Sequence, residues 1–186
     1  MNILSLRKNK LELAKIINDH KLDILGLNET RLSKDICDNE VSIEGYDLYR
    51  QDRDTSGGGV AIYIRNTLSH HKRDDIKDPN LEIIGLEITP KHAKSFIVLC
   101  WYCPPTDNAD TSTFLSLTKL IRDLDSEGKE IILIGDTNCD LKNQKIVTQE
   151  SLSLYIQNFN LNNKLLIIQG LLLQFALMER QIQQEH

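Results

Sequence analysis

The 186-residue sequence has little that would mark a secreted or membrane-spanning protein. No apolar run follows the charges of its first ten residues, so we expect no secretory signal. A membrane span needs roughly 18–20 apolar residues, and the longest run, residues 165–178, is interrupted by glutamine and glycine. We therefore expect an intracellular protein with no membrane partner.

An excess of basic residues is also lacking. The chain has 22 Lys and Arg against 27 Asp and Glu, a formal net charge of −5. Proteins that hold DNA by bulk charge need a basic face that releases counterions, so this class is disfavoured and only a local basic patch is left open. The length and the 40% apolar content are ordinary for one soluble globular domain.

Cysteine is scarce, with one Cys-x-x-Cys pair at Cys100 and Cys103. A zinc site would need a second such pair or suitably spaced histidines. Both residues fall in or beside an apolar run that predicts a strand, where residues an odd number apart point to opposite faces. We therefore expect free, buried thiols rather than a metal site.

Apolar runs alternate with helical periodicity along the chain. The pattern predicts a short strand at 1–6 and further strands at 22–27, 46–50, 59–65, 81–88, 95–102 and 130–134. It predicts helices at 9–20, 111–127 and 149–159. Glycines 57–59, the tri-glycine loop, lack the Gly-Lys-Ser/Thr of a phosphate loop and favour a hairpin turn. Strand pairs mixed with helices predict an α/β fold in layers.

Polar residues follow two of the predicted strands. Glu29 lies in an Asn-Glu-Thr sequence after the first, and Asp136 and Asn138 lie in Gly-Asp-Thr-Asn after the last. Open α/β sheets place ligands at strand ends, and Mg²⁺ prefers oxygen ligands such as carboxylates. The alternative is that Glu29 caps a loop and Asp136 forms a turn with Asn138.

Six ordered motifs between residue 2 and about residue 162 carry a family resemblance: NILSLRKNKLEL, LDILGLNETRL, GYDLYRQDR, GGGVAIYIRN, VLCWYCPP and EIILIGDTNCDL. They resemble the endonuclease/exonuclease/phosphatase superfamily. Within it they are most similar to the apurinic-type endonuclease domain of LINE-like, non-LTR retrotransposons. The resemblance implies a four-layer α/β sandwich, incomplete at the C-terminus of this chain.

The resemblance also implies roles for individual residues. Glu29 would be the principal ligand of Mg²⁺ or Mn²⁺, and Asn2 would help to hold that metal. The Tyr102 hydroxyl would contact the scissile phosphate. Asp136 and Asn138 would position or activate the attacking water and hydrogen-bond the phosphate. The expected substrate is DNA, which a full-length relative nicks to prime reverse transcription.

Expectations for partners follow from the same resemblance. Arg50, Arg53 and Arg65 are candidate nucleic-acid contacts. We expect the reverse transcriptase domain of full-length relatives to be absent here. For an active element the expected location is the nucleus.

The sequence departs from the family near its end. The family carries a Ser-Asp-His motif, whereas the five histidines here, at 20, 70, 71, 92 and 186, lie outside any such motif. His70 and His71 are interpreted as exposed loop residues. A missing general acid or base costs about 10²–10⁴ in rate, so we expect little or no hydrolysis from this chain alone.

The departure also predicts a division of the chain. Residues 1–162 would form a partial family domain, and residues 163–186 a divergent tail. A frame shift would explain the tail. One permitted choice of codons for its first residues, when read two bases over, encodes the continuation that the family has at this point. The alternative is an authentic amphipathic C-terminal helix.

Two other functions are retained as alternatives. The same scaffold could act as a phosphatase or phosphodiesterase on small or lipid phosphates. A non-catalytic remnant that binds nucleic acid weakly would instead show strongly salt-dependent binding and no product.

Overall fold

A computed structural model describes residues 1–104, 111–136 and 165–169 of the chain. These residues form three helices: α1 (Leu6–His20), α2 (Asp38–Val41) and α3 (Thr111–Asp125). They also form eight strands: β1 (Ile24–Asn28), β2 (Tyr46–Gln51), β3 (Val60–Arg65), β4 (His70–Lys72), β5 (Glu82–Ile88), β6 (Phe96–Tyr102), β7 (Glu130–Asp136) and β8 (Leu165–Gln169).

The strands form two sheets. One is antiparallel, in the order β1-β3-β2, and the other has the order β4-β5-β6-β7-β8. In the larger sheet β4, β5 and β6 pair antiparallel, whereas β6–β7 and β7–β8 are parallel pairs. The larger sheet is therefore mixed, with antiparallel and parallel pairs side by side, which is consistent with the predicted α/β layers.

Alternating residues of each strand build separate cores. Ile62 and Ile64 of β3 pack between the sheets with Val98 and Ile132. Neighbouring residues on the opposite faces pack against α1 on one side and α3 on the other. The described residues thus form helix, sheet, sheet and helix layers, which confirms the predicted four-layer α/β sandwich.

The helix α1 begins earlier than predicted. Leu6, Leu13 and Ile17 are fully buried on one face, so the apolar spacing extends upstream of residue 9. The helix ends at His20, and the following Lys21 has a left-handed φ of 48° that lets its backbone N–H cap the last turn. The predicted strand at 1–6 was wrong in extent, because it is reduced to a single parallel bridge between Asn2 and Asn28.

Two further predictions need correction. His70 lies in β4 with a side chain only 5% exposed, because its ring packs against Tyr49, so it is not an exposed loop residue. Leu165–Gln169 is a strand rather than part of a helix, since it pairs in parallel with β7. The predicted helix at 149–159 and the remaining tail lie outside the described residues, and the division at residue 162 stays a prediction.

The predicted burial of Cys100 and Cys103 on opposite faces is confirmed. Cys100 packs in the core between the sheets, whereas Cys103 packs in the core beneath α3. The two thiols therefore point to opposite faces. Burial raises the pKa of the Cys100 thiol to about 12, so that it stays protonated at neutral pH.

None of the helices in the described ranges is long and apolar enough to cross a bilayer.

Candidate active site

One row of polar side chains crosses the larger sheet at the rim of the inter-sheet core. Glu82 of β5 pairs in register with Tyr102 of β6, which pairs in turn with Asp136 of β7. Each of the three lies two residues along its strand from a residue of the core between the sheets. Those core residues are Ile84 on β5, Cys100 on β6 and Ile134 on β7. Because strand side chains alternate between faces, the three share the face that looks toward the smaller sheet.

The smaller sheet presents the end of β1 to this row. Asn2 is bridged to Asn28 at that end, and its side-chain Nδ2 donates to Oδ2 of Asp136 at 3.4 Å. The buried side chain of Asn28 donates to the Trp101 carbonyl at 2.9 Å. These contacts join the two sheets at the place where the polar residues collect.

Glu29 follows β1 directly and has a left-handed backbone conformation, with φ of 59°. Such a conformation is uncommon for a residue with a side chain. The backbone on both sides is held: the Leu6 N–H donates to the Thr30 carbonyl at 2.9 Å, and the Arg31 N–H donates to the Gly58 carbonyl at 3.0 Å. The surrounding chain therefore fixes the direction in which the Glu29 side chain leaves the strand.

Three donors surround the Glu29 carboxylate. The Tyr102 hydroxyl donates to Oε1. The Gly58 N–H donates to Oε2 at 3.3 Å, and Arg31 Nε donates to the same oxygen at 3.4 Å. The carboxylate is largely buried, with its side chain 12% exposed.

These donors determine the ionisation of the site. Burial raises the pKa of Glu29, but the hydrogen bonds from Tyr102, Gly58 and Arg31 outweigh it, so that the pKa lies below its usual value. Burial, together with the hydrogen bond to Glu29 and its negative charge, raises the pKa of Tyr102. Near neutral pH the site therefore holds an ionised Glu29 and a protonated Tyr102.

The donor set fits a hard divalent cation. Glu29 and Asp136 supply carboxylate oxygens. The Asn2 amide turns its Nδ2 toward Asp136 while its Oδ1 accepts from the Leu4 N–H at 3.2 Å, so its oxygen reaches a cation only when the amide rotates. Within the described ranges no group of three or more His, Cys, Asp or Glu side chains forms a metal site. Mg²⁺ retains several waters and is commonly bound through one or two carboxylates, so two carboxylates and an amide are compatible with it.

The three candidate arginines lie in different places. Arg53 is at the site, where its positive charge acts on Tyr102. Arg50 is 15% exposed, and its guanidinium binds the Ile36 carbonyl at 2.6 Å and the Asp38 carboxylate at 3.2 Å. It holds the segment before β2.

Arg65 ends β3 at the Tyr46 end of the sheet, whereas Val60 at the start of β3 pairs with Asn28. At about 3.3 Å per residue the two ends of β3 are roughly 16 Å apart. The structure therefore brings only Arg53, of the three, to the site.

The histidines of β4 also lie away from the site. His70 pairs with Ile88 at the far end of β5, six residues from Glu82. At about 3.3 Å per residue that separation is roughly 20 Å. Asn138 lies outside the described residues.

Sequence reasoning missed Glu82 and Arg31. Glu82 has a detectable signal, because it is in phase with the inward-facing Ile84, Leu86 and Ile88 of β5. A carboxylate in phase with core residues is uncommon unless it has partners. Arg31 gives no such signal.

Comparisons with known proteins identify the family and the fold. The sequence profile of the Endonuclease/Exonuclease/phosphatase family matches residues 1–154. A search of curated protein sequences gives no significant match.

Several solved structures share the fold. The human Nocturnin catalytic domain is 15% identical with a TM-score of 0.62, over 83% of this chain and 68% of that one. The endonuclease domain of TRAS1, a telomere-specific non-LTR retrotransposon, has the same identity and TM-score over 85% and 68%. A 3'-5' exonuclease from Neisseria meningitidis is 23% identical with a TM-score of 0.55, over 74% and 56%. At these identities the likeness establishes the fold.

Proposed function

Because this chain belongs to the endonuclease/exonuclease/phosphatase family, we propose that its site is a Mg²⁺-dependent phosphodiesterase site that acts on DNA. The observation that carries the proposal is the meeting of Glu29, Tyr102, Asp136 and Asn2 at one end of the two sheets. We further propose that the chain derives from a non-LTR retrotransposon endonuclease. Its motifs and its similarity in fold to the TRAS1 domain support this origin.

Each side chain suits a step of phosphodiester hydrolysis. A bound divalent cation supplies neutralisation of the charge that develops on the phosphoryl and leaving oxygens. The ionised Glu29 would hold that cation, and the Asn2 amide would join it once rotation turns its oxygen toward the site. Tyr102 keeps its proton, so its hydroxyl can donate to a phosphate oxygen when substrate replaces or shares the Glu29 contact.

Asp136 and Asn138 are proposed to orient the attacking water. Asp136 is tied to Asn2 by the 3.4 Å contact and to the sheet by the Cys103 N–H, which donates to its carbonyl at 3.0 Å. A rigidly held carboxylate is a suitable acceptor for a water proton.

The expected rate is low. The histidines of β4 are placed at the opposite end of β5, and the sequence has no Ser-Asp-His motif. Without the histidine of that motif to assist Asp136 in proton transfer, we expect a rate about 10²–10⁴ lower than that of a site that has one. We therefore propose slow nicking, which requires long incubation at high protein concentration.

The experiment is nicking of supercoiled plasmid by the full chain in Mg²⁺, run beside a panel of small and lipid phosphates. We expect nicked circles that depend on Mg²⁺ and are lost in Asp136→Asn, while Glu44→Gln, an exposed carboxylate before β2, nicks as wild type. Release of phosphate from the small-molecule panel without nicking would replace DNA by the alternative substrates. Salt-sensitive DNA binding without any product would favour the non-catalytic remnant.

A further inference from the structure

Glu82 lies beside the proposed site, and its carboxylate accepts hydrogen bonds from Arg53 and from the Gly59 N–H. It opens β5 opposite Tyr102, and its side chain is 18% exposed. Burial of a carboxylate is unfavourable unless its oxygens are satisfied. The groups that hydrogen-bond to the Glu82 carboxylate therefore indicate its structural role.

Both oxygens of Glu82 are used by the segment that joins β2 to β3. Arg53 Nη1 donates to Oε1 at 2.8 Å, and the Gly59 N–H donates to Oε2 at 2.7 Å. One carboxylate thus holds a side chain before the tri-glycine loop and the backbone at its end.

Arg53 also contacts the tri-glycine loop directly. Its Nε donates to the Gly57 carbonyl at 3.0 Å. Its guanidinium covers Gly58, where a Cβ would lie 2.4 Å from Arg53 Cζ. Only glycine fits beneath the guanidinium, so Arg53 and the loop form one packed unit.

The opposite side of the loop faces the candidate metal ligand. The Gly58 N–H donates to Oε2 of Glu29 at 3.3 Å, and the Gly58 carbonyl accepts from the Arg31 N–H at 3.0 Å. A loop displaced by a few tenths of an ångström would lose the first of these hydrogen bonds. The position of the loop therefore bears directly on the Glu29 carboxylate.

We propose that Glu82 is a positioning residue: through Arg53 and the Gly59 N–H it fixes the tri-glycine loop, and thereby sets the orientation of the Glu29 carboxylate and of the Arg53 guanidinium. The consequence for metal binding rests on the proposed function. The clamp itself rests on the contacts of Glu82 alone.

A first experiment tests the clamp without metal. Glu82→Gln keeps the size of the side chain but removes its charge and one acceptor, so we expect the Gly58 amide to exchange with solvent at least tenfold faster by NMR. The matched control is Glu87→Gln on the same strand, which faces the opposite side and pairs with Lys129 at 2.7 Å. Glu87→Gln lowers global stability without touching the loop, and Gly58 is expected to exchange by local opening of the loop, so the control should leave Gly58 exchange within twofold of wild type.

Unchanged Gly58 exchange in Glu82→Gln would overturn the inference. So would an equal acceleration in Glu87→Gln, because that result would indicate general destabilisation rather than a clamp.

A second experiment measures the dissociation constant of Mn²⁺ from the full chain by electron paramagnetic resonance. Outer-shell partners of metal ligands are worth about 10–100-fold in metal affinity, and we expect about tenfold weaker binding in Glu82→Gln. Arg53→Lys retains the positive charge but not the forked guanidinium group, so it should weaken Mn²⁺ binding by a similar factor. If Glu82 and Arg53 act through one network, the variant that combines both substitutions should bind Mn²⁺ no more weakly than either single variant.

Glu29→Ala separates this inference from the proposed function. If Glu29→Ala loses Mn²⁺ while Glu82→Gln binds it as wild type, the positioning role is wrong and the metal site stands. If Glu29→Ala binds Mn²⁺ as wild type, the proposed metal site is wrong, and the Gly58 exchange rates alone decide whether the clamp exists.

Discussion

The Tyr102 hydroxyl donates a hydrogen bond to the Glu29 carboxylate across 73 residues of sequence. Tyr102 ends a strand of one sheet, and Glu29 follows a strand of the other. The contact therefore couples the two sheets at the place where the polar side chains gather. It also explains the charge state of the pair, because the hydrogen bond favours ionised Glu29 and protonated Tyr102.

Tyr102→Phe tests this coupling. The variant loses a hydrogen bond that lowers the pKa of Glu29, so that pKa should rise and the site should bind Mn²⁺ less well below neutral pH. Loss of one transition-state donor costs about 10²–10³ in rate, and nicking should fall accordingly. A carbon-13 NMR titration of the Glu29 carboxyl measures the first effect. Tyr46→Phe, which deletes a hydroxyl bonded to the Leu22 carbonyl at the other end of the sheet, should change neither.

Arg53→Ala tests the proposed DNA contact. Arg53 lies at the site and its side chain is 39% exposed, so a phosphate can reach it. Removing one phosphate contact should weaken DNA binding for every sequence and lower the salt slope by about 1. Arg65→Ala is the matched control, because Arg65 pairs with Asp23 at the far end of β3. Equal losses in the two variants would contradict the assignment of Arg53.

Gly135→Ala tests the approach of β7 to β6. A Cβ at Gly135 would lie 1.9 Å from the Trp101 carbonyl oxygen, so the strands must separate beside Asp136. Overpacking of this kind costs about 1–3 kcal/mol, and Mn²⁺ affinity should fall with it. Urea unfolding and Mn²⁺ titration measure the two effects. Gly128→Ala, at a turn with open space around it, should leave Mn²⁺ affinity unchanged.

The pH dependence of stability should reflect a charged cluster remote from the site. Glu87 and Glu127 both contact Lys129 and Arg73. Burial raises the pKa of Glu87, but the hydrogen bonds from Lys129, Ser95 and Arg73 and the charge of Lys129 outweigh it, so that the pKa is lowered on balance. The hydrogen bond from Arg73 lowers the pKa of Glu127.

A carboxylate whose pKa is lower in the folded state stabilises the fold above its unfolded pKa of about 4.3 and loses that contribution as pH falls. Glu87→Gln should therefore cost about 1–3 kcal/mol at pH 7, and the difference from wild type should shrink below pH 4. Urea unfolding at several pH values measures this. A difference that is constant from pH 3 to pH 7 would contradict the argument.

The main strands and helices were predictable from the sequence because runs of apolar residues mark the segments that are buried. The hairpin around the tri-glycine loop and the opposite faces of Cys100 and Cys103 both follow from local pattern. The strand β4 was missed because His70 carries no apolar signal and is buried only by packing on Tyr49.

The site was predictable in part. Glu29 and Asp136 were predicted as site residues because they follow predicted strands. The family resemblance added Asn2, Tyr102 and Asn138. The Glu82–Arg53 clamp was not visible, because it depends on the register of β5 against β6 and on a loop that folds back onto both. The placement of Arg65 likewise depends on which end of β3 faces Asn28.

The most direct test of the account is Mn²⁺ binding by the full chain compared with Glu29→Gln, followed by electron paramagnetic resonance. The glutamine keeps the shape of the side chain and removes the negative charge that a divalent cation requires. The account predicts one saturable Mn²⁺ site in the wild-type chain, weakened at least tenfold in Glu29→Gln and competed by Mg²⁺. Equal Mn²⁺ affinity in the two proteins would contradict it.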